Sequence, residues 1–128
     1  MQVKELTPDE KKKWLDDIKE RVEAKRKELE GELDQEVTAF VYGVNPNEDD
    51  SAVLFLKQPS LSNLMKCMDQ QEESKMTSGK LLVESCIIKE ESDVRFLDPS
   101  PKWDKLKVSA YFFANSITTI YIDQAKKK

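Results

Sequence analysis

The chain has 128 residues, of which 38% are hydrophobic and 36% charged, and its formal net charge is −4. The length suits one domain with a limited core, and a charged fraction above the roughly 25% of typical globular domains predicts solvated helical faces around a compact centre. The negative balance gives no overall attraction to phosphate backbones, so we expect no nucleic-acid partner.

Catalytic groups are scarce in the composition. The chain contains no histidine, which excludes Ser–His–Asp and Cys–His nucleophile pairs and histidine-based zinc sites. The glycines Gly31, Gly43 and Gly79 stand apart, so they form no phosphate-binding loop and no dinucleotide fingerprint. Carboxylates are plentiful, but on helix surfaces they are typical of solvation. We therefore expect a non-enzymatic protein with no cofactor and no metal site.

Neither a leader nor a membrane span is predicted. The sequence from Met1 to Trp14 lacks the apolar run of a signal peptide. The longest mainly apolar stretch, Ala110–Ile122, is interrupted by polar residues and is too short to cross a bilayer. Cys67 and Cys86 fall inside predicted helices; a disulfide is one option, and buried free thiols are favoured in a cytosolic product. We expect a cytoplasmic protein without membrane contact.

The first predicted helix starts with a strong capping signal. Thr7 is a suitable N-cap, Pro8 suits the first helical position, and Glu10 completes a capping box. We expect this helix to continue to about Leu33, with Gly31 weakening its last turn. Its apolar positions form a thin stripe on one face: Trp14, Leu15, Ile18, Val22, Leu29 and Leu33.

Two interpretations of this stripe remain open. In the favoured one, the helix packs across the domain through Trp14, Leu15, Ile18 and Val22, and its second half is solvated. In the other, it is a coiled-coil-like helix that meets another subunit or a partner. A homo-oligomer is therefore one option.

A β-hairpin is predicted next. Glu36–Val44 is rich in β-branched and aromatic residues, and Ala52–Lys57 is predicted as a second strand. The intervening Asn45–Asp50 favours a polar turn. This turn lacks the spacing of a calcium-binding loop, so we expect no metal there.

Two short helices are predicted after the hairpin. Gln58-Pro59 ends the strand and Ser60 is a plausible N-cap. The first helix has apolar residues at helical spacing, namely Leu61, Leu64, Met65 and Met68. After a polar break at residues 70–74, the second runs from about Lys75 to Ile87, with Gly79 as a close-packing point. The methionines Met65, Met68 and Met76 are either an adaptable binding face or gap-filling core residues, and the core interpretation is favoured.

A charged loop, Lys89–Ser100, leads to the final helix, and we expect Val94, Phe96 and Leu97 to pack against the core. The helix begins at Ser100-Pro101 by the same cap-and-proline pattern. Its apolar stripe is the most regular in the chain and comprises Trp103, Leu106, Ala110, Phe113, Ile117 and Ile120. Residues 117–122 are β-branched enough that a strand is an alternative.

The central stretch carries a family resemblance. The run Val53–Ser62, the pair Leu64-Met65 and the segment Leu82–Cys86 resemble a family of small phage-encoded proteins, although Ile87-Ile88 replaces that family's aromatic–glycine pair. The resemblance covers about Ala52 to Ile88. It implies a role in tail or virion assembly, often described as tail assembly chaperone-like, with other phage structural or assembly proteins as partners.

We therefore predict one α+β domain, with a charged N-terminal helix over residues 1–34 and a compact core over residues 36–125. The core comprises a β-hairpin, two short central helices and a C-terminal helix. The leading hypothesis is a non-enzymatic phage morphogenesis or virion-associated protein in the host cytoplasm or the virion. The alternative is a small adaptor or inhibitor that binds a host protein. The candidate partner-binding residues are Trp14, Leu15, Ile18, Val22, Trp103 and Leu106.

Overall fold

The computed structural model describes residues 7–43 and 51–126, and it confirms the predicted α+β class. In chain order the elements are α1 (Pro8–Leu33), β1 (Val37–Gly43), β2 (Ser51–Lys57), α2 (Leu61–Glu73), α3 (Lys75–Cys86) and α4 (Asp104–Lys126). Two short 3-10 turns, Val94–Leu97 and Pro101–Trp103, lie between α3 and α4. The turn predicted at Asn45–Asp50 lies outside the described residues.

The helix starts follow the capping signals in the sequence. Oγ1 of Thr7 accepts a hydrogen bond from the backbone N–H of Glu10 at 3.2 Å, and its hydroxyl donates to the Glu10 carboxylate at 3.0 Å. Ser60 caps α2 by accepting from the Asn63 N–H at 3.1 Å. Ser74 ends α2 and at the same time caps α3 through the Thr77 N–H. These side chains satisfy N–H groups that have no partner within the helix.

β1 and β2 form an antiparallel hairpin in which Val37 pairs with Lys57 and Gly43 with Ser51. Successive side chains of a strand point to opposite faces of the sheet. The hairpin therefore divides its apolar residues between two cores, and the molecule has three layers.

The main core lies between one face of the hairpin and the helices α2, α3 and α4. Its buried residues are Ala52, Leu54, Leu56, Cys67, Leu82, Val83, Cys86, Ile87, Phe96, Leu106, Ala110, Ala114 and Ile117. The small core lies between the other face and α1, and consists of Leu29, Val37 and Phe55. Val22 packs against this small core.

α1 packs through its second half, which contradicts the interpretation that left this half solvated. Leu29 is 3% exposed, whereas Trp14 and Leu15 are half-buried and belong to neither core. The reason is the short connection after Asp34, whose left-handed conformation (φ 52°) ends the helix. This turn brings Val37 back beside the last turns of α1.

α3 and α4 approach each other closely at Gly79. A Cβ atom at this position would overlap the backbone carbonyl of Tyr111, which confirms Gly79 as a close-packing point. α4 remains helical to Lys126, so the strand alternative for residues 117–122 is wrong. Its buried positions, including Ala110, Ala114 and Ile117, continue at helical spacing and pack into the main core.

The charged loop before α4 contributes one core residue. Phe96 is 1% exposed, as predicted, but Val94 is 78% exposed and Leu97 is 39% exposed. The expectation that all three pack against the core is wrong for Val94 and Leu97. In a 3-10 helix side chains three residues apart lie on the same side, so Val94 and Leu97 share one side of the turn and Phe96 lies on another.

Candidate functional site

Ile18 and Val22, two of the predicted partner-binding residues, line a groove between α1 and the outer side of β2. Two adjoining cavities of about 420 Å³ and 430 Å³ share Ile18, Val53 and Glu91 as lining residues. Val22 and Phe55 complete the apolar floor of the second cavity. We call this depression the α1 groove.

The two rims of the α1 groove carry opposite charges. Arg21 and Lys25 stand on α1, and Glu90 and Glu91 stand on the segment after α3. Nζ of Lys25 lies 3.5 Å from Oε2 of Glu91, which ties the two rims together. An exposed pair of this kind contributes little stability. The apolar floor and charged rims make the groove suited to bind an apolar side chain.

The other predicted residues are dispersed. Trp14 and Leu15 are half-buried near the N-terminal end of α1. Leu106 is 3% exposed in the main core, so it contributes packing and offers no accessible surface. Trp103 is half-buried and does not line the α1 groove.

Two cationic side chains instead lie over the indole ring of Trp103. The Arg95 guanidinium carbon lies 5.1 Å and the Lys102 Nζ atom 4.8 Å from the centroid of the indole ring. Cations within about 6 Å of an aromatic face are attracted by the electron density of the ring. These contacts account for Trp103 as a local anchor of the segment before α4.

The sequence favoured core packing for the methionines of α2, but this helix carries an exposed apolar surface. Leu61 is 73% exposed, Met65 is 56% exposed and Met68 is 38% exposed. At 100° per residue the three side chains lie within about 60° of one another on the helix. We call them the α2 face. The favoured interpretation of Met65 and Met68 as core residues is therefore wrong.

α2 carries a second, buried stripe, and this explains the error. Cys67 is fully buried in the main core, and Leu64 is half-buried. The apolar residues of α2 cover a wide arc, and only the neighbours of the helix decide which part of it is covered. The signal available in the sequence was Cys67, which lies off the Leu61–Met65–Met68 line.

Hydrogen bonds fix the orientation of α2. The Ser78 hydroxyl donates to the Cys67 carbonyl at 2.8 Å within the core. The Gln71 side-chain amide donates to Oδ1 of Asn115 at 2.7 Å and to Oγ1 of Thr119 at 3.0 Å on α4. These contacts tie α2 to α3 and α4, so the α2 face is presented on an element that is held in place.

The chemistry of the buried thiols is inert. Cys67 and Cys86 are free and buried, as expected from the sequence. Burial raises the pKa of the Cys86 thiol to about 11, so it is protonated at neutral pH and a poor nucleophile. Within residues 7–43 and 51–126, no three His, Cys, Asp or Glu side chains are grouped to hold a metal ion.

Comparison with known proteins adds no assignment. No family model matches the chain, and neither a curated protein nor a solved structure is significantly similar to it. Among the helices of the described part of the chain, none is long and apolar enough to cross a membrane. The surfaces of the molecule are therefore the basis for assigning a function.

Proposed function

We propose that the protein acts by protein–protein contact through the α2 face, as a non-enzymatic phage morphogenesis or virion-associated protein. The observation that carries the proposal is the exposure of Leu61, Met65 and Met68 side by side on a helix that hydrogen bonds tie to α3 and α4. Contiguous exposed apolar residues are typical of binding surfaces.

The chemistry of the α2 face suits an apolar groove on a partner. Leu61 and Met65 lie one helical turn apart, and Met68 follows on the same side. This spacing matches the anchors of a helix that docks into a groove. Methionine side chains are flexible and polarizable, so the face adapts to partners of differing shape. A chaperone that holds subunits before assembly would use a surface of this kind.

The phage setting rests on the resemblance in the central stretch. The residues that carry it include Lys57-Gln58-Pro59 at the end of β2 and Leu64-Met65 on α2. The resembling segment thus contains the whole α2 face. The proposed partners are structural or assembly proteins of the same phage, and a tail assembly chaperone is the specific role.

Site-specific photo-crosslinking tests the proposal. A photoreactive phenylalanine analogue replaces Met65 on the α2 face or, as the matched control, Val94, which is 78% exposed on a 3-10 turn. After irradiation of producing cells, mass spectrometry identifies the adducts. We expect one discrete protein adduct from position 65, a phage structural protein, and no such adduct from position 94. Equal adducts at both positions, or none at position 65, would contradict the proposal.

A double variant supplies the complementary test. We expect Met65→Ser with Met68→Ser to weaken capture of the crosslinked partner at least about tenfold, because the apolar contact is lost. The unfolding midpoint should stay nearly unchanged, because both side chains are already exposed. A host enzyme as the captured partner would support the adaptor or inhibitor function in place of morphogenesis.

A further inference from the structure

The outer edge of β2 is closed by the chain that follows α3. The N–H of Ile88 donates to the Phe55 carbonyl at 2.9 Å, and the N–H of Asp93 donates to the Val53 carbonyl at 2.9 Å. Oγ of Ser92 accepts from the Phe55 N–H at 2.9 Å. The segment Ile88–Asp93 therefore takes the place of a third strand, and we call it the β2 strap.

Side chains of α1 form hydrogen bonds with the outward backbone groups of Val37, the first residue of β1. The Val37 N–H donates to Oε2 of Glu30 at 3.1 Å, and Nη1 of Arg26 donates to the Val37 carbonyl at 3.1 Å. Arg26 and Glu30 are themselves paired at 2.9 Å. Together the two side chains make the pair of hydrogen bonds that a residue of a neighbouring strand would make with Val37.

The remainder of the outer edge of β1 has no such cover within the described residues. Backbone groups of an antiparallel strand point alternately toward and away from the partner strand. Because the groups of Val37 point outward, those of Ala39, Val41 and Gly43 do so as well. No residue of the described ranges exchanges a hydrogen bond with the outward groups of Ala39 or Val41.

We infer that residues Ala39–Gly43 of β1 pair antiparallel with the same residues of a second copy of the chain. The pairing places Val41 opposite Val41 of the second copy on the twofold axis, and Ala39 opposite Gly43. This register forms about six backbone hydrogen bonds, two from each of three residue pairs. It does not use the Val37 backbone groups that Arg26 and Glu30 already bond. The surface is separate from the α2 face, so the inference goes beyond the proposed function.

The side chains of β1 are complementary to themselves in this register. Phe40 stands opposite Tyr42 of the second copy, and the two aromatic residues form a cross-strand pair on each side of the axis. Both are half-buried in the single chain. β1 has no charged residue, so a twofold axis brings no like charges together. An uncharged strand edge without lysine or proline is unprotected against such pairing.

Apolar residues of α1 and α4 flank β1. On one side, Ile18 of α1 lines an open cavity together with Val41 and Val53. On the other side, Phe113 of α4 packs against Phe40 with ring centroids 4.9 Å apart. Ile120 lies two turns further on the same face of α4 and is 54% exposed.

Sedimentation equilibrium across a concentration series tests the inference. We expect the unmodified protein to associate to a dimer. Val41→Pro removes the outward N–H on the twofold axis and leaves the bonds between β1 and β2 in place, since proline is tolerated where the N–H faces away from the sheet. We expect this variant to raise the dimer dissociation constant at least about tenfold. Val41→Ala, the matched control, keeps the N–H and should still form the dimer.

A charge exchange makes the test specific for self-pairing. Val41→Lys and Val41→Glu each place like charges on the axis and should each weaken the dimer at least about tenfold, because like charges directly opposite are destabilising. An equimolar mixture should form heterodimers. This part of the test remains decisive even if Val41→Pro does not fold.

Three results would overturn the inference. The first is a monomer at every concentration up to the high micromolar range. The second is a dimer that dissociates with Met65→Ser and Met68→Ser and resists Val41→Pro, which would assign the contact to the α2 face. The third is a mixture of the Val41→Lys and Val41→Glu variants that stays monomeric.

Discussion

Asp93 has two structural roles at once. Its backbone N–H donates a hydrogen bond to the Val53 carbonyl of β2. Its carboxylate caps the following 3-10 turn, because Oδ1 accepts from the Arg95 backbone N–H at 3.0 Å and from Arg95 Nε at 2.9 Å. Oδ2 accepts from Nη2 of the same guanidinium at 2.7 Å. Hydrogen bonds with Arg95 hold the pKa of the Asp93 carboxyl below its usual value, and burial opposes this effect.

We predict that Asp93→Asn lowers the free energy of unfolding by about 1 to 2 kcal/mol at neutral pH, through the loss of a charged cap. Because the pKa is lower in the folded state, the stabilisation is complete above the unfolded pKa, roughly 3.9 for aspartate. It is lost as the pH falls through the folded pKa. Urea unfolding from pH 7 down to pH 2.5 should show the difference between the unmodified protein and the variant shrinking below about pH 4.

Asp69→Asn is the matched control, because it makes the same charge change at an exposed position of α2. It should change the free energy of unfolding by no more than about 0.5 kcal/mol. If the difference in stability between the unmodified protein and the Asp93→Asn variant were independent of pH, the carboxylate charge would not be its cause.

Two glycines on helices provide a prediction about the elements. Gly79→Ala forces its Cβ atom into the Tyr111 carbonyl, so α3 and α4 must separate. We expect a loss of about 3 kcal/mol in the free energy of unfolding, at the upper end for overpacking. Gly31→Ala meets nothing within 4 Å, and should stabilise by up to about 1 kcal/mol through helix propensity. Thermal unfolding measures both, and equal effects would refute the packing explanation.

Helix starts were predictable from the sequence because their signals are local. Thr7 and Ser60 were predicted as N-caps and are N-caps in the structure, each acting within three residues. The orientation of a helix is not local. Met65 was expected in the core and is exposed, and Leu29 was expected in solvent and is buried. Both outcomes depend on which other element covers the helix, and periodicity within one helix does not contain that information.

The same limit applied to the candidate site. Ile18 was predicted and lines the α1 groove, because it lies on the apolar stripe of an exposed helix. Leu106 was predicted on the same reasoning and is buried. The open edge of β1 was not predicted at all, because the sequence of a strand does not show whether its outer backbone groups find a partner elsewhere in the chain.

For the whole molecule, the unequal cores on the two faces of the hairpin predict unequal local stability. The small core has three buried residues, so α1 should open without unfolding of α3 and α4. We expect Leu29→Ala to speed amide exchange in α1 at least about tenfold, since such truncations cost about 2 to 5 kcal/mol. Exchange in α3 and α4 through global unfolding should speed as well, because the lost contacts also lower the free energy of global unfolding. Hydrogen-exchange mass spectrometry measures both regions.

Leu82→Ala is the matched control for this experiment, because Leu82 is 1% exposed in the main core. This variant should speed exchange in α3 and α4 and leave exchange in α1 nearly unchanged, because the main core stays packed when α1 alone opens. If Leu82→Ala accelerated all three helices to the same degree, the two cores would form one cooperative unit.

The β2 strap has a consequence for how large an assembly can become. A sheet that joins another through β1 can grow further only if its opposite edge is also available, and on this chain Ile88–Asp93 occupies that edge. Self-association through β1 is therefore terminated after one step, as a closed pair with no free end. Displacing the β2 strap would expose a second unpaired strand edge. The closed dimer would then become a fibre to which further copies can add without limit.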